Sequence, residues 1–130
     1  MSALETLREH AREVTEATGI RVDLVEETNR IFVVLRDVPL PPGLLVPVSD
    51  VLFIADKQYP LSALDMFWTD IGVSWSDGTV PRSADTFETY KGRTWRRFSW
   101  HANGVSSPTR NRLLDHFAFM EARWAEEKGG

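Results

Sequence analysis

The chain has 130 residues, 42% hydrophobic and 26% charged, a size and balance expected of one globular domain spanning residues 1–130 around a single core. It contains no cysteine, which excludes disulfides, thiolate zinc sites and a cysteine nucleophile, and leaves three histidines and the carboxylates as candidate ligands or bases. A net charge of −4 and a pI near 5.3 argue against a nucleic-acid partner, and no stretch approaches the ~20 apolar residues of a membrane span, so no membrane contact and a cytoplasmic location are expected. A domain of this length buries roughly two thirds of its unfolded surface and needs no structural metal or cofactor to fold.

Ser2 followed by Glu5 has the spacing of a capping box, and Leu4, Leu7, Ala11, Val14 and Ala17 recur at helical intervals before Gly19, which predicts an amphipathic first helix. Ile20, Val22 and Leu24 alternate with Arg21 and Asp23, and residues 31–35 form a β-branched and aromatic run, so two strands joined by a turn at 26–29 should make a hairpin. Residues 37–47 carry four prolines and a glycine and read as a loop ahead of a third strand at 48–54. Tyr59-Pro60 begins another turn, and residues 65–69 are a short fourth strand. Residues 70–92 show turn signals at Ser76-Asp77-Gly78 and Val80-Pro81 without a sustained period, and an irregular segment of that length inside a compact domain is usually functional. Residues 94–101 form a fifth short strand or extended segment. Ser107 and Pro108 read as the N-cap and first residue of a last helix whose apolar stripe is Leu113, Leu114, Phe117, Met120 and Trp124. The expected class is α+β: a helix, a four-stranded antiparallel meander, a long irregular segment and a C-terminal helix, with no internal repeat.

That element order is the order of the ubiquitin-conjugating fold, and particular residues strengthen the likeness. Pro41-Pro42-Gly43, the run 51–54, Tyr59-Pro60, Asp65-Met66-Phe67-Trp68, Pro81 with Ala84-Asp85, the run from Trp95 to His101, and Pro108 together resemble the bacterial branch of the ubiquitin-conjugating-enzyme superfamily known as prokaryotic conjugating-enzyme family E, from about Val22 to Trp124. The eukaryotic enzymes share less: their paired prolines after Tyr-Pro are replaced here by Leu61-Ser62-Ala63-Leu64, and their His-Pro-Asn triplet and the cysteine after it are missing between Phe67 and Pro108. The resemblance implies a role in ubiquitin-like conjugation, with a ubiquitin-like protein and a ThiF-type activating enzyme as partners and a deubiquitinase-type metalloprotease as genomic neighbour.

Conjugation needs an exposed nucleophile, a base and an oxyanion donor, and serine can replace cysteine if a histidine activates it. Ser99 and His101 are two residues apart, so an extended segment sends both side chains to one face, which makes them the first candidate pair. Trp95 and Arg97 share that face, and Arg97 can pair with an oxyanion or a chain-terminal carboxylate. Ser83 is the second candidate nucleophile: it stands sixteen residues after Phe67, close to the spacing at which the eukaryotic relatives place their cysteine. His10 reads as solvated and His116 as a helix-boundary residue, and a metal site from His101, His116 and Asp115 is not expected. Lys91, Arg93, Arg96 and Arg97 interleave with Trp95 and Trp100 as a basic cluster suited to an acidic protein surface. On the first helix, Arg8, Glu9 and Arg12 are placed to recognise the activating enzyme, which the resemblance puts there. The competing reading is a noncatalytic adaptor that binds the ubiquitin-like protein or its activating enzyme.

Overall fold

A computed structural model describes residues 2–102 and 106–129. Ser2 Oγ accepts the Glu5 amide at 3.1 Å and Glu5 Oε1 accepts the Ser2 amide at 3.3 Å, so α1 (Ala3–Thr18) starts on the reciprocal capping pair that the sequence predicts. Its apolar positions Ala3, Leu7, Ala11 and Val14 are buried. It stops at Gly19, whose left-handed φ of 78° lets its amide reach the Thr15 carbonyl at 2.8 Å, a geometry that a side chain would disfavour.

The sheet holds the expected meander and continues beyond it. Strands β1 (Val22–Glu26), β2 (Arg30–Pro39), β3 (Val48–Asp56), β4 (Phe67–Thr69), β5 (Thr86–Tyr90) and β6 (Arg93–Phe98) pair antiparallel in the order β1-β2-β3-β4-β6-β5. The irregular stretch is therefore shorter than expected, residues 70–85, because Thr86–Tyr90 alternates β-branched and aromatic residues and turns back through Lys91-Gly92. Both turn residues have positive φ, 52° and 76°, the two-residue turn whose twist suits a hairpin. Asp37, at φ 50°, marks the register shift between Leu35 and Val38 in the β2–β3 ladder.

Alternation divides the sheet into two unlike faces. Ile31, Val33, Leu35, Val51, Phe53, Ala55, Phe67 and Phe98 look toward the helices and join Leu7, Val14, Leu113, Phe117, Met120 and Trp124 in one core. An aromatic stack anchors its far end: Phe67 lies 4.8 Å from Phe98 with planes 9° apart, and Trp100 and Trp124 meet edge to face at 4.9 Å. The opposite face carries a second cluster of Phe32, Val34, Leu52, Trp68 and Trp95, on which neither helix packs.

The last helix, α2 (Arg112–Gly129), begins later than Pro108. Asn111 is its cap, with Oδ1 accepting the Leu114 amide at 2.9 Å and its carbonyl the Asp115 amide at 3.0 Å. Ser107 and Pro108 instead open a turn closed by the Arg110 amide on the Ser107 carbonyl, 3.1 Å. A proline can start a helix or a turn equally well, and the better cap downstream decides which. None of the helices described is long and apolar enough to cross a membrane.

Candidate functional site

Of the residues singled out in the sequence, Ser83, Arg97, Ser99 and His101 lie where β6 ends, while Arg8 and Arg12 lie on α1. Ser99 leaves β6 and its amide bonds the Ser83 carbonyl at 3.0 Å, so the two candidate serines are backbone neighbours on adjoining segments. Two structural clamps hold those segments. Trp100 Nε1 donates to the Arg82 carbonyl at 2.8 Å, and Arg96 reaches the carbonyls of Ala84 and Ile71 at 2.6 and 3.1 Å while lying 4.7 Å over the Phe87 ring. Arg96 is 7% exposed and burial lowers its pKa against the opposing pull of Asp85, so the surface contact expected of it gives way to a structural task, tying the irregular segment to the sheet. The signal for this was the inner-face position of residue 96, between outward-facing Trp95 and Arg97, once strand pairing is known.

Ser99 lies on the same side as Arg97, as alternation predicts, but its hydroxyl meets Arg97 and not His101. Arg97 Nε donates to Ser99 Oγ at 3.1 Å and Nη1 donates to Glu88 at 3.0 Å. Glu88 also accepts Trp68 Nε1 at 2.7 Å and the Tyr90 hydroxyl at 2.9 Å. Burial pushes the Glu88 carboxyl up, but these donors outweigh it and hold the group below its ordinary value. Trp95 is buried in the outer cluster under Arg93, whose guanidinium stands 4.0 Å from its ring, so Trp95 is a platform and not a free binding surface.

His101 turns the other way. Its Nδ1 lies 2.9 Å from Asp65 Oδ2, and the Ala102 amide donates to the second oxygen of that carboxylate at 3.3 Å. Both side chains of this pair are more than half exposed. Asp65 is the partner that sequence reasoning missed, since it stands thirty-six residues from His101 and only the fold joins them. Ser83 is exposed and held at a left-handed φ of 59°, on a turn closed by the Ala84 amide on the Pro81 carbonyl, 3.2 Å.

Two histidines depart from expectation. His116 is buried, with Nε2 donating to the Met66 carbonyl at 2.7 Å and its ring edge-on to Phe53 at 4.7 Å; burial lowers its pKa against the Met66 bond. His10 is half-buried, with Nδ1 2.6 Å from the Tyr59 hydroxyl, and burial lowers its pKa against the pull of Glu13 and Glu9. Among the described residues no group of three histidines, aspartates or glutamates could hold a metal ion. On α1, Arg12 is exposed and paired with Glu9 at 2.7 Å and Glu16 at 2.6 Å, while Arg8 borders a shallow groove with Leu4, Val22, Leu24, Asp23 and Glu26.

No curated protein and no solved structure matches the chain. The sequence profile described as Prokaryotic E2 family E matches residues 7–127, which takes in most of α1, the whole sheet, the site and nearly all of α2. The chain thus belongs to Prokaryotic E2 family E, a family related to the conjugation machinery, and is a member of it without a cysteine.

Proposed function

We propose that the protein is a noncatalytic adaptor of a ubiquitin-like conjugation pathway in the cytoplasm, holding the ubiquitin-like protein or its ThiF-type activating enzyme on a conjugating-enzyme fold. One observation carries this reading. The groups that a serine-based transfer would need to couple are bound to other partners, the Ser99 hydroxyl to Arg97 and the His101 ring to Asp65. A nucleophile must lie within hydrogen-bond reach of its base, and the absence of cysteine leaves no thiolate to take over. What persists is a recognition surface: the exposed cations Arg8 and Arg12 on α1, and Arg97 beside Ser99.

Calorimetric titration of the ubiquitin-like protein and of the activating enzyme into the chain tests the proposal. Ser99→Ala should bind both within about twofold of the parent, whereas the double charge reversal Arg8→Glu with Arg12→Glu should weaken the activating enzyme by about tenfold or more, a loss of about 1.4 kcal/mol. Equal binding by the charge-reversed variant would remove α1 from the interface.

Ser83 supports a second reading, transfer through a serine oxyester. It is an exposed non-glycine residue in a strained left-handed backbone conformation, a combination that clusters at reactive sites, and it adjoins Ser99. A covalent adduct with the modifier that disappears on Ser83→Ala would establish it.

A further inference from the structure

The amino end of α2 holds a cation with no ion-pair partner among the described residues. Arg112 is 7% exposed, yet among the described residues no carboxylate lies within ion-pair distance of it and no acceptor meets any of its guanidinium nitrogens, with Nε fully buried and unsatisfied. Its surroundings are polar and already committed. Asn111 caps the helix and donates through Nδ2 to the His10 carbonyl at 3.1 Å and to Glu13 at 2.8 Å. Asp115 is held by Arg110, at 2.6 and 2.7 Å, and by the Ser106 hydroxyl at 2.8 Å. The Tyr59 hydroxyl lies 2.6 Å from His10 Nδ1. Arg112 is the first residue of α2, and helical side chains tilt toward the amino end, so its guanidinium lies at the positive end of the helix dipole.

A buried, unpaired guanidinium is costly, and placing it at a helix N-terminus adds repulsion in place of relief. The same two features make the position attractive to an anion, since a guanidinium fork matches an oxyanion in two hydrogen bonds and the helix end favours negative charge. We propose that Arg112 and the first turn of α2 form a binding site for a small oxyanion of the phosphate type. Occupation would complete the ion pair that the described residues do not supply and fasten α1, the Tyr59 turn and α2 together through their shared polar cluster.

Inorganic phosphate is the probe, added to the full chain, with binding followed by isothermal titration and by thermal unfolding. Saturable binding is expected, and phosphate at ten times its Kd should raise the Tm by about 5 °C. Arg112→Met keeps the stem and removes the charge; it should fold at least as firmly as the parent in phosphate-free buffer and lose saturable binding at least tenfold. Arg112→Lys keeps the charge without the fork and should bind more weakly than the parent but more strongly than Arg112→Met. Phosphate also stabilises proteins by exclusion from their surface, and that effect would persist in Arg112→Met. No saturable binding by the parent, or a Tm response in Arg112→Met equal to the parent's, would overturn the site.

Discussion

The two faces of the sheet solve the same problem by different means. The inner face is covered by helices, and its core cluster from Ile31 to Phe98 is apolar, so contact with α1 and α2 is enough there. The outer face has no helix over Phe32, Val34, Leu52, Trp68 and Trp95, and long charged side chains cover it instead. Arg93 lies over Trp95, and Arg30 lies 5.0 Å from the Phe32 ring and 4.9 Å from the Tyr90 ring. The Arg93 head joins an ionic chain running from Asp23 through Arg36, Asp50 and Arg93 to Asp70, with 2.8 Å from Arg36 to Asp23 and 3.1 Å from Arg36 and from Arg93 to Asp50, while the Arg30 head pairs with Glu27 at 2.8 Å. Arginine stems can shield aromatic surface while their heads remain wet, which makes one face a core and the other a lid that a partner could displace.

Four substitutions or titrations sharpen that contrast. The largest effect should come from Phe67→Ala, which empties the centre of the inner aromatic stack; a loss of about 3–5 kcal/mol in urea denaturation is expected, and a loss under 1 would contradict the assignment of this face as the main core. On the outer face, Glu88→Leu strands the Trp68 indole, the Tyr90 hydroxyl and Arg97 together, and should cost about 1–3 kcal/mol by the same assay.

The third test is pH. Burial holds His116 and His10 below the ordinary 6.5, so folding favours the neutral rings and the unfolded chain takes up protons first. Stability from this source is complete above about pH 6.5 and declines as pH falls from there through the lowered values. Denaturation between pH 7.5 and 5.5 should show that decline, and His116→Gln should flatten it. An unchanged slope in the variant would assign the decline elsewhere. The smallest effect belongs to Arg93→Met, which retains the stem over Trp95 and removes a half-buried charge paired with Asp50 and Asp70. It should change stability by less than about 1 kcal/mol, whereas Arg93→Ala should cost visibly more if the lid works by packing.

Much of this architecture is written in local pattern. The capping box at Ser2, the glycine stop at Gly19 and the alternation of the first strands each act through neighbours in sequence, and α1 and the meander stand where these signals put them, whereas the hairpin turning at Lys91-Gly92 lies in a stretch read as irregular. The start of α2 was less legible because Pro108 and Asn111 both carry N-terminal signals, and only the Asn111 bonds decide between them. Site residues were harder still. That Arg97 would face Ser99 follows from strand period, but the capture of His101 by Asp65, of Arg97 by Glu88 and of Arg96 by the Ala84 and Ile71 carbonyls depends on chain segments brought together by the fold. Periodicity says which way a side chain points. It does not say what will be waiting there.

The adaptor reading meets its most direct test in the mass of the intact chain after incubation with the ubiquitin-like protein, its charged activating enzyme and ATP. The account predicts an unmodified mass throughout, in a sample where native electrophoresis shows the ubiquitin-like protein or the activating enzyme bound. A stable adduct of modifier mass that resists thiol reductants and is lost on Ser83→Ala or Ser99→Ala would contradict it and establish a serine-based transferase.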